Sequence, residues 1–376
     1  MALGVPKKKS TQLFIGPMSK NCVDACIEFN KNKTNIVGLI ASRRQIDSKD
    51  LGGGYVNNWT TEKFSKYISK KKIFFCRDHG GPWQGQHDIN IKKTHESLLR
   101  AKKSIKSDIK NNCKIIHIDT SANLKKKFVK EKLLRAKALL KFAHNVANQL
   151  KKEINYEIGW ESEKGEMQNF KELKKIIKET KKICIKEKIQ SPKYITLQTG
   201  TKVLNGQNVG ILYKNFKSNN KNFKKNIFFL KKCINLCHNN GFLVKEHNAD
   251  YLNLNFIKLR PKLNIDAINI APQFGTFETK FIIKYLDLMK MKKEKNIFFN
   301  LVDKSRKWEK WVDKPTSKLQ KVLIAGHYLF SDKKFVKIKK ILSNKLNLER
   351  KINLDTEIKK YLILNLKKIY RSLNLY

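Results

Sequence analysis

Ile73-Phe74-Phe75-Cys76-Arg77-Asp78-His79-Gly80-Gly81-Pro82-Trp83-Gln84-Gly85 is the stretch that decides how this chain folds. Its first four residues are a short apolar run of the kind that forms a buried strand. An acid and an imidazole, Asp78 and His79, sit side by side where that strand ends. Two glycines and a proline then stop the strand and turn the chain. Neighbouring residues on a strand point to opposite sides, but a loop can bend both into one pocket. Chemistry that needs a metal ligand beside a proton acceptor uses such a pair. The bland alternative is a simple turn, with Asp78 capping a helix and His79 incidental. The same layout recurs later in the chain, with a polar residue at each strand end, and that repetition favours the functional interpretation.

Apolar runs alternate with helix-like segments along the sequence. The runs are Asn35–Ala41, Ile73–Cys76, Lys114–Ile118, Ile154–Ile158, Tyr194–Leu197, Phe242–Lys245, Asp266–Ile270 and Val322–Ala325, which makes eight candidate strands. Segments such as Glu131–Leu150, Asn169–Lys188 and Asn226–Asn239 place apolar residues at i, i+3 and i+4 between them. Alternation of this kind implies parallel strands joined by right-handed crossovers. Eight units close a (β/α)8 TIM barrel. An open doubly wound sheet is the other candidate, but no Gly-x-Gly-x-x-Gly follows the first strand. The expected layout is a single domain over residues 1–376, with the barrel at about 30–330 and a helical C-terminal extension at 331–376.

Active sites of such barrels are built from the loops at the carboxyl ends of the strands. Ser42-Arg43-Arg44-Gln45-Ile46-Asp47 and Gly53-Gly54-Tyr55 follow the first run, and Asp78-His79 the second. His117 and Asp119 belong to the third, Gly159-Trp160-Glu161 to the fourth, and Gln198-Thr199-Gly200 to the fifth. Glu246-His247-Asn248-Ala249-Asp250 follows the sixth. Asn269 and Ala271-Pro272-Gln273-Phe274-Gly275-Thr276 end the seventh, and Gly326-His327-Tyr328 the eighth. Titratable groups thus gather at one end of the predicted barrel. Buried acids and histidines are costly unless paired or metal-bound, so a ring of them points to a site.

The formal net charge is +49, which invites a nucleic-acid role. Only nine of the 81 basic residues are arginine, and arginine is the side chain that reads phosphates and base edges bidentately. The lysines are spread almost evenly, as a bias over the whole surface. Non-specific polyanion binding at low salt is expected, with a basic nucleic-acid-binding protein as the weaker functional alternative. No run of about 18 apolar residues is present, so no membrane span is expected. Met1–Ser10 is lysine-rich and lacks the apolar core of a signal peptide, which points to the cytoplasm. Seven scattered cysteines without a Cys-x-x-Cys suit reduced thiols rather than a zinc ribbon.

Taken together, the strand-end residues resemble the GatZ/KbaZ-like family, the accessory subunits of class II tagatose-bisphosphate aldolase. The resemblance spans about Asn35 to Asp332. It rests on Ala41-Ser42-Arg43-Arg44-Gln45-Ile46-Asp47 with Gly53-Gly54-Tyr55, and on Asp78-His79-Gly80-Gly81-Pro82-Trp83-Gln84. Further matches are Ile116-His117-Ile118-Asp119, Ile158-Gly159-Trp160-Glu161, Glu246-His247-Asn248-Ala249-Asp250-Tyr251 and Tyr328-Leu329-Phe330-Ser331-Asp332. The chain departs from the family pattern at Arg43-Arg44, at Gln198-Thr199-Gly200 and at Ala271-Pro272-Gln273-Phe274-Gly275. More remotely, the family is similar to the zinc-dependent class II aldolases.

The resemblance implies aldol cleavage, or epimerisation through a retro-aldol step, on a ketose phosphate. A divalent metal, zinc in the related aldolases, would polarise the carbonyl. His79 and His247 are the expected metal ligands, with Glu161 as third ligand or base. Asp78 is the expected proton acceptor. Asp119 and Asp250 are expected to bind hydroxyls or to orient a ligand histidine, which makes Asp78, Glu161 and Asp119 the candidate catalytic acids. Arg43, Arg44 and Gln45 suit a phosphate or carboxylate, with salt bridges to Asp47 or Asp50 as the alternative. Gly275 and Thr276, just before a helix expected at Phe277–Lys290, offer backbone N–H groups to a phosphate, or Thr276 is a plain N-cap. His117, inside an apolar strand, reads as a core histidine. A sugar-phosphate substrate and a homo- or hetero-oligomer follow from the resemblance. So does the alternative of a non-catalytic subunit that stabilises a separate class II aldolase.

Overall fold

Residues two apart on a strand share a face, and in this protein the two faces of every barrel strand are buried against different things. The computed structural model describes residues 9–88, 90–122, 129–159 and 165–375. Among them, eight strands form the barrel: β1 Gln12–Ile15, β2 Gly38–Ser42, β3 Phe75–Asp78, β4 Ile115–Asp119, β5 Asn155–Gly159, β6 Tyr194–Thr196, β7 Leu243–Glu246 and β8 Ala267–Ile270. Each pairs in parallel with the next, and β1 pairs with both β2 and β8, so the sheet closes. Phe14, Ile40, Cys76, Ile115, Tyr194 and Ala267 form one small cluster, the plug inside the barrel. The alternate residues, among them Leu13, Leu39, Phe75, Ile116, Ile158, Val244 and Ile268, join the large core beneath the surrounding helices. A strand buried on both sides reads as a continuous apolar run, which is why periodicity finds these strands.

The principal helices around the barrel are α1 Lys20–Asn30, α2 Thr61–Ile68, α3 Thr94–Lys110, α4 Val129–Gln149, α5 Phe170–Lys186, α6 Asn222–His238 and α7 Pro272–Leu288. Then come α8 Lys292–Ser305, α9 Lys318–Ala325, α10 Lys333–Arg350 and α11 Leu354–Ser372. Two strand assignments differ from expectation. The barrel begins at Gln12–Ile15, upstream of the first expected strand, and the run Val322–Ala325 is the last turn of α9. That helix is capped by Ser317, whose hydroxyl accepts the Gln320 N–H, and a four-residue apolar run does not by itself separate helix from strand. Helix α11 returns to the start of the barrel: Leu373 O accepts the Thr11 N–H at 3.1 Å, and Tyr370 OH donates to Asn35 O at 2.7 Å. No described helix is long and apolar enough to cross a membrane.

Arg77 of β3 and Glu246 of β7 are charged residues on the outward faces of their strands. The Arg77 guanidinium of β3 is fully buried and grips Asp108 of α3 through Nε at 2.8 Å and Nη2 at 2.6 Å. Its Nη1 donates to Ala41 O and Ile46 O, which ties the loop after β2 to β3. Removing one partner of such a pair strands the other charge in the core. Arg77→Leu is therefore expected to cost ~3–5 kcal/mol in urea unfolding. A loss under about 1 kcal/mol, the range of an exposed pair, would contradict that account.

Candidate active site

The loop after β3 lies across the end of β4. Gly80 N donates to His117 O at 2.9 Å. A Cβ on Gly81 would fall 1.5 Å from Asp119 O, so only glycine allows this approach. His79 itself sits at φ +46°, in the left-handed region that costs a non-glycine residue ~1–3 kcal/mol. That backbone twist brings the Asp78 and His79 side chains to the same pocket. His79 Nδ1 is held at 2.7 Å by Asp119 Oδ2. Gln84 Nε2 and Ser121 N also donate to this carboxylate, each at 2.7 Å.

His117 projects from the middle of β4 and His247 follows β7. The three imidazole centroids lie 5.0–5.9 Å apart. His247 Nε2 is 2.6 Å from Glu157 Oε1. Glu157 lies on β5, wholly buried, and also accepts Thr196 Oγ1 at 2.8 Å and Lys245 Nζ at 2.6 Å. His117 Nε2 is 3.5 Å from Thr196 Oγ1. In each histidine the second nitrogen faces the Asp78 carboxylate: His117 Nδ1 at 3.4 Å, His79 Nε2 at 3.7 Å and His247 Nδ1 at 3.7 Å. Two sets, Asp78–His79–His117 and His117–Glu157–His247, each bring their donor atoms within 4.8 Å of one another. Burial alone would raise the Asp78 carboxyl, but the charges of His79, His247 and His117 hold it well below the usual range. Asp119 and Glu157 are likewise pushed up by burial and brought down further by their partners, His79 for the first and Lys245 for the second.

This donor set fits a divalent cation. Imidazole nitrogens with a carboxylate are the ligands that zinc and its neighbours prefer. A carboxylate on the far nitrogen of a ligand histidine is the usual orienting arrangement, and His79 and His247 both have it.

The structure thus brings together Asp78, His79, Asp119 and His247. Glu161 lies outside the described residues. Arg43 is turned elsewhere: its guanidinium is fully buried, bound to Asp47 at 3.0 Å, Asp88 at 2.8 Å and Gly81 O at 2.9 Å. It fastens two loops together, which is the salt-bridge alternative rather than an anion site. Gln45 closes its own turn through Ser42 N and reaches Met18 Sδ. Arg44 is half-buried, and its Nε has no hydrogen-bond partner among the described residues.

Helix α7 begins at Pro272, earlier than expected, so Gly275 and Thr276 are inside it. Thr276 Oγ1 donates to Leu323 O at 3.0 Å, and Gly275 packs on His327. The N-terminus of that helix is already occupied by a carboxylate of the protein. Asp250 Oδ1 accepts the N–H groups of Ala271 and Gln273 at 3.0 and 2.9 Å, which leaves it a capping role rather than a place on a hydroxyl. Burial pushes the Asp250 carboxyl from 3.8 up to about 7, against the pull of those two N–H groups. A carboxyl raised on folding binds more protons in the native state. Its contribution is complete below pH 3.8 and is lost as pH rises to about 7. Asp250→Asn should flatten the fall in stability across that window, read by urea unfolding at several pH values. An unchanged pH slope would contradict this.

His117, Glu157 and Lys245 were not expected here. The signal was in the alternation: each lies two residues before a strand-end position, Asp119, Gly159 and His247, and so on the same inward face.

No family model matches the chain, and no curated protein matches it. Solved structures do. A probable tagatose 6 phosphate kinase from Sinorhizobium meliloti matches with a TM-score of 0.77 at 13% identity, over 96% of this chain and 100% of that one. A fructuronate-tagaturonate epimerase from Cohnella laeviribosi matches with a TM-score of 0.57 at 9% identity, over 98% and 82%. A fructose-bisphosphate aldolase from Campylobacter jejuni matches with a TM-score of 0.52 at 12% identity, over 97% and 90%. At these identities the likeness is one of fold.

Proposed function

We propose that this protein is an enzyme of carbohydrate metabolism that performs metal-dependent aldol or retro-aldol chemistry, including epimerisation, on a ketose phosphate. One arrangement carries the proposal: three imidazole nitrogens face the Asp78 carboxylate at 3.4–3.7 Å, at the mouth where a barrel places its chemistry. Fold likeness to an aldolase and an epimerase agrees with it. His79, His117 and His247 would hold the ion, zinc being the first candidate by donor type. A bound divalent ion supplies Lewis-acid polarisation of the ketose carbonyl.

The remaining work falls to the chain. Asp78 takes the proton from the hydroxyl of the carbon being released. The C–C bond breaks, that carbon leaves as an aldehyde, and the electron pair stays with the carbonyl fragment until a proton returns. Re-addition to the other face of the aldehyde gives the epimer. Asp119 and Gln84 fix the His79 ring, while Glu157 with Lys245 and Thr196 fixes His247. Arg44 is the cation proposed for the substrate phosphate. Glu161, two residues past β5 in sequence, is the further acid proposed at this mouth.

Purified chain should carry one divalent ion per molecule and cleave or epimerise at least one member of a ketose-phosphate panel without a partner. Absence of both ion and turnover would refute the proposal. Metal-free protein that co-purifies with a class II aldolase and raises its stability would instead establish the accessory-subunit role.

A further inference from the structure

Apart from the histidine cluster, a cavity of about 60 Å³ opens between the start of α1, the loop at Tyr55, α7 and α10. It has room for several waters at roughly 10–15 Å³ each. Two buried titratable groups in its wall, Glu278 and His327, take no part in the chemistry above. Glu278 is 2% exposed. Ser19 Oγ donates to its Oε2, and Asn21 Nδ2 to its Oε1 at 2.9 Å. Lys339, also in the wall, is bound to Asp355 at 2.6 Å. Burial raises the Glu278 carboxyl against Lys339 and these two bonds.

His327 is 1% exposed, and neither ring nitrogen has a hydrogen-bond partner among the described residues. Burial, aided by Lys310 and Lys307, pushes it down to about 3. The ring is therefore neutral at working pH and presents one N–H donor and one bare acceptor. Leaving such groups unmet in the interior costs ~1–3 kcal/mol.

The chemistry of the wall selects the guest. An anion meets the Glu278 carboxyl, and a cation meets Lys20 and Lys339. A neutral hydroxyl both donates and accepts, which matches an imidazole and a carboxyl together. Tyr55 and Phe330 in the same wall give it apolar ring surface beside the C–H groups of a carbohydrate. We propose that this cavity binds the hydroxyl groups of a small neutral polyol or sugar through His327 and Glu278, at a site separate from the histidine cluster. Free polyols and the hydroxyls of a longer saccharide share this chemistry, and the probes below distinguish them.

The test follows the imidazole nitrogens by NMR in ¹⁵N-histidine-labelled protein, which has eight histidines. The His327 signal is assigned by its loss in His327→Phe, or in His327→Gln if that variant does not fold. Erythritol and a free disaccharide are titrated separately, with inorganic phosphate and tetramethylammonium as controls. A saturable shift of the His327 signal with either carbohydrate is expected, and the one that binds identifies the source. The shift should persist in His79→Ala protein, which separates this cavity from the barrel mouth. Glu278→Gln should weaken binding by about tenfold, the scale of one hydrogen bond to a charged group. A His327 signal unmoved by both carbohydrates, moved by a control ion instead, or no longer moved in His79→Ala protein would overturn the proposal.

Discussion

His247→Ala is expected to strip the divalent ion from the barrel mouth and to lower kcat/KM by more than ~10²-fold. Changes to groups that only orient a ligand already cost ~10–100-fold in metal affinity, and removing a ligand should exceed that. His247 is well placed to show the effect. Its ring is nearly buried, fixed at 2.6 Å to Glu157 on one nitrogen and turned to Asp78 on the other. Truncation also removes one hydrogen-bond donor to the Glu157 carboxylate while leaving Lys245 and Thr196 in place. The fold should therefore survive, and an unchanged far-UV spectrum with lost metal is the informative outcome. Metal content and kcat/KM within twofold of wild type would remove His247 from the site.

Asp78→Asn should behave differently. General acid–base catalysis contributes ~10²–10⁴-fold, so kcat should fall by that factor while the three imidazoles still hold the ion. Asparagine keeps the shape but cannot take a proton. The acid limb of the pH–rate profile should go with it, because asparagine has no carboxyl to titrate. Loss of metal in step with activity would make Asp78 a ligand rather than a proton acceptor. Full activity would exclude it from the chemistry.

The barrel was legible because both faces of its strands are apolar, and such runs stand out between amphipathic helices. Eight strands were expected and eight close the sheet, yet the membership shifted. Gln12–Ile15 and Val322–Ala325 are equally short, and only tertiary pairing assigns the first to the sheet and the second to α9. Asp78-His79 and Glu246-His247 were legible as acid–imidazole pairs at strand ends. His117 was not, since one histidine in an apolar strand reads as core. Its meaning depends on Glu157 and Lys245, which come from β5 and β7 and meet across the barrel interior with Thr196 of β6. Local sequence cannot show that three polar residues on separate strands satisfy one another. Arg43 misled for the converse reason: two adjacent arginines suggest an anion site, but Asp88, far along the chain, had already claimed one of them.

Zinc K-edge X-ray absorption on metal-loaded wild-type protein tests the central claim most directly. Convergence of His79, His117 and His247 on one ion predicts three imidazole scatterers at about 2.0–2.1 Å, falling to two in His117→Ala. A sulfur-rich shell, or an imidazole count that His117→Ala leaves unchanged, would contradict it.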